Sequence, residues 1–369
     1  MNIGIPKEVK DNEYRVSITP YGVFELSKLG NKVFVEKNAG IGSGFTDKMY
    51  VKSGAHIVET AQDVFEKSEL IVKVKEPQPS EIKMINEKHT VFTFFHFAAD
   101  IEMTKNILET GSTSIAYETV QNPDGSLPIL VPMSEVAGRM SIQNGAKCLE
   151  GSMGGMGKLL SGVPGVESAT VSIIGGGVVG SNAAKLAAGL GAKVNILDVD
   201  MDRLRYLDDF MPRNVQTLYS NNHNINSVLY ETDLLIGAVL VVGSKAPNLI
   251  SKNMLSNMKY GSVIVDVAVD QGGCVETRKP TTHRNPTYIV ENVVHYCVSN
   301  MPGSVSHTST IALTNITLEY IKQISTQGCL SAFKLNNSLK LGLNTYKGEV
   351  THSGVAESFN LNFTHPDSI

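Results

Sequence analysis

No apolar run in this chain approaches the roughly 18 residues that a membrane-spanning helix needs, so no membrane segment is expected. A dominant charge sign is also missing. Against 32 Lys and Arg stand 36 Asp and Glu, for a formal net charge of −4. That balance gives no electrostatic case for nucleic acid or an anionic lipid surface as a partner. Cysteine is scarce: Cys148, Cys274, Cys297 and Cys329 are all there is. Their spacing fits neither a zinc ribbon nor a CxxC redox pair, and no metal site is expected. A chain of 369 residues needs no disulfide to complete a core. Reduced thiols in a cytoplasmic protein are the expectation. Internal repeats and low-complexity tracts are lacking as well. The opening MNIGIPKEVKDNEYR has no apolar h-region and reads as the start of a folded domain.

What is present is ordinary for a globular protein: 42% apolar and 18% charged residues, enough apolar surface to offset the entropy of ordering. At roughly 150 residues per domain, the length suggests two domains or three. Gly is plentiful, at 33 residues, and many sit at the ends of apolar runs, where α/β proteins turn tightly or bring backbone close to a ligand.

Short apolar runs alternate with amphipathic stretches. Strands are expected at Asn2–Ile5, Lys32–Glu36, Leu70–Lys75, Thr90–Phe95 and Ser112–Tyr117. Between them, helices are expected from Thr19-Pro20, at Asp47–Ser53, at Ala61–Glu69 and at Ile101–Glu109. A second series, Ala169–Ile174, Lys193–Leu197, Val215–Leu218, Leu234–Ala238, Ser262–Val267 and Thr287–Val290, repeats the pattern. Strands separated by helices imply βαβ units and largely parallel sheets. Asn122–Ser126 is a turn cluster and a plausible exit from a first domain. A glycine-containing helical stretch from Ser134 links it to a second. Beyond Pro302 the pattern is helical at Ser309–Ser325 and Leu330–Leu343 and returns to the first domain. The tail from Gly348 shows no clear element. The expected architecture is α/β, with two Rossmann-like doubly wound domains of parallel strands. A discontinuous catalytic domain (1–128 and 305–369) carries an inserted dinucleotide domain (129–304).

The sharpest motif is SIIGGGVVGSNAAKLAAGLGAKVNILDVD. Gly175, Gly177 and Gly180 form G-x-G-x-x-G between a strand and a helix. Those glycines allow the tight turn, the approach of backbone to pyrophosphate and close helix–strand packing. The helix N-terminus then holds phosphate through its N–H groups. The next strand ends at Asp198, placed to accept from ribose hydroxyls and to repel a 2′-phosphate, which favours NAD over NADP. GAVLVVGSKAP after Gly237 is a weaker candidate for the same ligand, equally well an ordinary strand and loop. In SVIVDVAVDQGG, Asp266 lies inside an apolar run and reads as a satisfied structural carboxylate, whereas Asp270 falls in the loop beyond.

Lys75 ends one strand of the first series, and His96 and Glu118 follow the next two. Parallel strands would put all three on one carboxyl rim, where open α/β sheets bind ligands. The imidazole suits proton transfer to a substrate oxygen, and Arg15 and Lys75 suit a carboxylate. Taken alone, each is as readily a surface histidine or a solvated cation.

In IGIPKEVKDNEYRVSITP, VKVKEP, FTFFHFAAD, AYETVQ, PMSEVAGRMS, the glycine motif, VIVDVAVDQGGCVETRKPTTHRNPTY and HYCVSNMPGSVSHTSTIALTN, the chain resembles the alanine dehydrogenase family. That family is shared with the nucleotide-binding subunit of proton-translocating transhydrogenase. The likeness spans about residues 1–320, in order. It implies reversible deamination of L-alanine to pyruvate and ammonium with NAD. It implies that Arg15 and Lys75 bind the substrate, that His96 is the general acid–base and that Asp270 is a second catalytic residue. For NAD it implies Ser134, Val178, Val179, Asp198, Arg203, Ser220, Val239, Leu240, Lys279, Val267, Ala268, Val269 and Asp270, and the turn Val298, Ser299, Asn300 and Met301. It further implies a homohexamer and a cleft that closes during turnover. His307 stands where the family leads one to expect arginine, MPRN at 211–214 replaces a glycine-rich turn, and the tail diverges. Competing readings are a transhydrogenase-type subunit, a saccharopine-like amino-acid dehydrogenase and a dinucleotide-binding protein without catalysis.

Overall fold

The computed structural model describes residues 1–239, 247–269 and 272–369. They form two compact units, Met1–Met133 with Gly303–Ile369, and Ser134–Pro302.

The strands of the chain are β1 (Asn2–Ile5), β2 (Lys32–Glu36), β3 (His56–Val58), β4 (Leu70–Val72), β5 (Thr90–Thr93), β6 (Thr113–Ala116), β7 (Thr170–Ile174), β8 (Lys193–Asp198), β9 (Val215–Tyr219), β10 (Leu234–Gly237), β11 (Val263–Asp266), β12 (Thr287–Val290), β13 (Val293–Tyr296), β14 (Leu343–Tyr346) and β15 (Glu349–Val350). The first unit holds an eight-stranded sheet in the order β15-β14-β6-β5-β4-β1-β2-β3. The second holds a seven-stranded sheet, β12-β13-β11-β10-β7-β8-β9. Within each, the six strands from the β3 or β9 edge are parallel and doubly wound, with the order reversing between β1 and β4 and between β7 and β10. The sequence expectation of two largely parallel Rossmann-like sheets therefore holds. The antiparallel edges, β14 with β15 and β12 with β13, lie outside that expectation.

Both sheets are covered on two faces, which is why their strands read as near-continuous apolar runs. Ile3, Ile5, Val33, Val35, Leu70, Val72 and Phe92 are fully buried in the first unit. Burying each such side chain contributes about 1.5–3 kcal/mol. The first helix starts where expected: Thr19 accepts from the Gly22 N–H and Pro20 occupies the first turn.

Several boundaries move. The expected strand to Lys75 stops at Val72. The Ser17 hydroxyl takes the Val72 carbonyl, and the Glu8 carboxylate takes the Val74 N–H. The stretch Leu330–Leu343 divides into the helices Cys329–Leu335 and Asn337–Leu341, with Asn336 capping the second through the Leu339 N–H. The tail carries β15 and the helix Ser353–Phe359. His307 packs within the first unit: its Nδ1 lies 2.7 Å from the Ser43 carbonyl and its ring stacks on Phe45.

Candidate active site

Strand order in the first sheet reverses between β1 and β4, and doubly wound proteins bind ligands outside the carboxyl ends of the strands at such a reversal. The chain leaving β1 carries Arg15, and the bend after β4 carries Lys75. Arg15 is 2% exposed. Glu13 meets it in a fork, Nε to Oε1 at 2.7 Å and Nη2 to Oε2 at 2.5 Å, and Nη1 lies against the Met133 sulfur. Sequence reading misses Glu13, because the burial of Arg15 that calls for its carboxylate is set by the fold. Neighbouring residues are tied down as well. The Val16 N–H donates to Thr310, and the Thr314 hydroxyl donates to the Ser17 carbonyl.

Lys75 is partly buried, and its ammonium makes no ion pair among the described residues. Burial first, then the charges of Arg15 and Lys10, pull its pKa below the usual 10.5. An anionic group arriving there would relieve both effects. An opposite charge close by favours the ammonium form.

His96 and Glu118 come together as the parallel β5 and β6 require. The Glu118 carboxylate accepts the His96 N–H at 2.5 Å and the Phe95 N–H at 3.3 Å, and its Oε1 lies 4.0 Å from the His96 Nδ1. The imidazole is 43% exposed and stacks on Phe94 with 4° between planes. Its backbone is left-handed, at φ 54° and ψ 40°. That conformation costs an L-residue roughly 1–2 kcal/mol. A strained residue that presents a half-exposed imidazole at a ligand rim is the pattern of a functional group rather than of packing.

In the second unit the glycine turn joins β7 to the helix Val178–Gly189. No side chain caps that helix. A Cβ at Gly177 would meet nothing within 4 Å, so backbone is open to an incoming group. A Cβ at Gly180 would lie 1.8 Å from the Gly175 carbonyl oxygen, so only glycine lets helix and turn touch there. Gly175 has φ 104°. Asp198 ends β8 and accepts the Gly176 N–H at 2.6 Å and the Asp200 N–H at 2.9 Å. The Arg203 Nε donates to the Gly176 carbonyl at 2.6 Å. An uncapped helix start, an open Gly177 and a carboxylate at the end of the second strand fit a dinucleotide.

The remaining expected residues that the structure describes have the following local contacts. The Ser220 N–H bonds the Asp198 carbonyl, and Val239 packs beside the core under β10. Val267 donates to the Gly237 carbonyl, and the Ala268 carbonyl accepts from Gly273, with Val269 buried beside them. Val298 pairs with Thr281, Ser299 donates to the Thr281 carbonyl, and Asn300 is left-handed beside the buried Met301. The Lys279 N–H reaches the Tyr288 hydroxyl. Ser134 lies in the helix Leu130–Cys148, near its start. Leu240 and Asp270 lie outside the described residues, as does most of GAVLVVGSKAP. Asp266 takes the structural role: buried at the end of β11, it accepts the Ala268 and Cys274 N–H groups, each at 3.1 Å. Burial raises its pKa to about 6 against those hydrogen bonds.

Residues 4–137 match the family model described as alanine dehydrogenase/PNT, N-terminal domain, and residues 141–353 match its C-terminal domain. An alanine dehydrogenase of Methanococcus maripaludis is 54% identical over 365 residues, covering 99% of this chain and 98% of that one. One of Halomonas elongata is 49% identical over 369 residues, the full length of both. A solved L-alanine dehydrogenase superposes with a TM-score of 0.95 at 50% identity, covering 98% of this chain and 99% of that one. The crystal structure of a transhydrogenase from Sinorhizobium meliloti, 24% identical with a TM-score of 0.80 over 95% of this chain and 99% of that one, shares the fold.

Proposed function

From the premise that the chain belongs to the alanine dehydrogenase/PNT family, we propose that it catalyses the reversible NAD-dependent oxidative deamination of L-alanine to pyruvate and ammonium, using the residues gathered at its two sheet rims. One observation carries the assignment of roles. Near the carboxyl ends of the first sheet stand a buried guanidinium and a partly buried ammonium, and a strained imidazole follows the strand beside them.

Arg15 and Lys75 bind the carboxylate of alanine, which fixes its Cα–H, and in the reverse direction they also hold the keto oxygen of pyruvate. NAD, when bound, supplies the hydride acceptor; Gly175 to Gly180 and Asp198 hold its pyrophosphate and adenosine ribose. The iminium left on the substrate takes up water. His96 then takes the proton from the carbinolamine oxygen as the C=O of pyruvate forms and the C–N bond breaks, and the nitrogen leaves protonated, as ammonium. Asp270 is the proposed second catalytic group, positioning or deprotonating the attacking water or ammonia. The remaining cofactor positions named from the sequence complete the nucleotide site. A cytoplasmic homohexamer completes the reading, on the strength of the same family resemblance. The joint presence of Arg15, Lys75 and His96 supports a small acid as substrate over a hydride-accepting partner protein.

The test is NADH formation, followed at 340 nm over a panel of small L-amino acids, with NADP in parallel. Alanine is expected to give the highest kcat/KM, and NADP far slower turnover because the Asp198 carboxylate repels a 2′-phosphate. No NADH with alanine, or equal rates with NADP, would overturn the reading.

The Lys75 environment adds a pH dependence. Pyruvate does not titrate in the alkaline range, so its binding reports on the protein. As pH rises through the lowered pKa of Lys75, the ammonium loses its charge and pyruvate affinity falls, with a midpoint below 10.5. In Lys75→Arg the fall should vanish up to pH ~11, because guanidinium does not deprotonate there. A flat wild-type profile to that pH would contradict the placement.

A further inference from the structure

We infer that Glu8 and Thr93 are positioning residues that set Lys75 for the carboxylate of a small amino or keto acid. The inference rests on the substrate role given to Lys75 above. Lys75 has left the strand ladder: β4 ends at Val72 and the chain bends. Its backbone is nonetheless gripped from both flanking strands. On one side β1, the parallel partner of β4, runs on to Glu8. The two Glu8 oxygens accept the Val74 N–H at 2.7 Å and the Lys75 N–H at 3.4 Å. On the other side Thr93, the last residue of β5, donates its hydroxyl to the Lys75 carbonyl at 2.9 Å. Both backbone groups of residue 75 are thus held by side chains, while its ammonium is left for another partner.

The Glu8 carboxylate is itself held. The Lys73 ammonium lies 3.1 Å from Glu8 Oε2 and 2.7 Å from Glu81 Oε1. Glu81 also accepts the Gln78 N–H at 2.8 Å, at the start of a short helix. Glu8, Lys73, Glu81 and Thr93 are 7%, 0%, 1% and 0% exposed. Two carboxylates sharing one buried ammonium is a costly arrangement, and well-packed apolar side chains serve a fold equally well or better. Stability alone does not call for it. What the cluster touches beyond itself is the backbone of residues 74, 75 and 78, beyond the end of β4, where the order of strands reverses. A lysine side chain is long and loses about 2 kcal/mol of rotamer freedom when fixed. Anchoring its main chain removes one source of misplacement, and the attraction between an ammonium and a bound carboxylate weakens as their separation grows.

Steady-state kinetics on the full-length protein separates positioning from packing. Four variants are compared: Glu8→Gln, Glu8→Ala, Thr93→Val and Lys75→Met. Gln keeps one acceptor and turns a donor toward the Lys75 N–H, and Val keeps the shape of Thr while losing the hydroxyl. Both are expected to raise KM for alanine and for pyruvate about tenfold, with kcat at saturating alanine within about threefold and KM for NAD unchanged. Glu8→Ala should raise the substrate KM further, and Lys75→Met most of all. If Lys75→Met is impaired while folded Glu8→Gln and Thr93→Val keep the wild-type KM for alanine, positioning is overturned and the Lys75 role stands. A lowered melting temperature in those two variants with KM unmoved also overturns it. If Lys75→Met itself keeps the wild-type KM, the substrate role of Lys75 fails first. Should Glu8→Ala fail to fold, Thr93→Val still decides, because it touches no charge.

Discussion

Replacing His96 by alanine is expected to lower kcat for alanine about 10²–10⁴-fold, with NAD affinity unchanged. A thousandfold loss corresponds to about 4 kcal/mol of transition-state stabilisation. The size follows from what the side chain does and does not support. Almost half of it is exposed, so truncation opens no cavity and removes the stack on Phe94 and the 4.0 Å approach of Nδ1 to Glu118. The backbone bond to Glu118 is made by the N–H of residue 96, which alanine keeps. The fold should therefore survive with a melting temperature close to that of the wild type. What disappears is an imidazole able to take and give a proton, at the end of the strand next to the one that leads to Lys75. Paired measurements of kcat, NAD binding by calorimetry and thermal unfolding check this. Near-wild-type turnover in a folded His96→Ala would remove the imidazole from the mechanism.

Gly180→Ala should be as damaging for a different reason. The new methyl group would lie 1.8 Å from the Gly175 oxygen, 3.0 Å from its carbonyl carbon and 3.2 Å from Ile173 Cγ2. The two nearest atoms belong to backbone, so no rotamer change relieves the contact. The helix Val178–Gly189 would have to move off β7 by roughly an ångström or more to restore ordinary contact, and the phosphate-binding turn would open with it. A loss of about 3 kcal/mol in stability is expected, at the upper end for overpacking. NAD affinity should fall by about 100-fold or more, given the loss of the turn geometry. Gly177→Ala is the control. Its Cβ meets no protein atom within 4 Å, so the melting temperature should hold while NAD binding weakens. Calorimetric titration of NAD and thermal unfolding of both variants read the two effects apart. Wild-type NAD affinity in Gly180→Ala would mean that this turn does not cradle the nucleotide.

The imidazole and the glycine turn are both legible in the amino-acid sequence. Buried parallel strands announce themselves as apolar runs, and the groups that follow them, Lys75, His96 and Glu118, stand at their ends because parallel strands share one carboxyl rim. Turn-dependent elements are harder to see. β12 and β13 are joined through Glu291 and Asn292, both left-handed at φ 49° and 62°, and β14 and β15 through Lys347 and Gly348, at 48° and 86°. A Glu-Asn or Lys-Gly pair is a weak hairpin signal beside Asn-Gly. The buried ionic pairs are harder still. Lys73 alternates with Lys75 in VKVKEP and looks like a solvated cation. Only the fold brings Glu8 and Glu81 onto it from 65 residues upstream and eight residues downstream. Glu13 is nearer to hand, two positions from Arg15, but nothing in the local pattern KDNEYR distinguishes its charge from that of a surface residue.

The way the two units share one chain bears on how the protein is made. Residues 134–302 are contiguous, so the second unit can close as soon as it has emerged from the ribosome. The first unit cannot: Val16 and Ser17, beside Arg15, are fastened by Thr310 and Thr314 of the helix Ser306–Gln327. A nascent chain therefore has all of its second unit in hand before the first is finished, and the first 133 residues must wait, with part of their apolar surface uncovered, for residues 303–369.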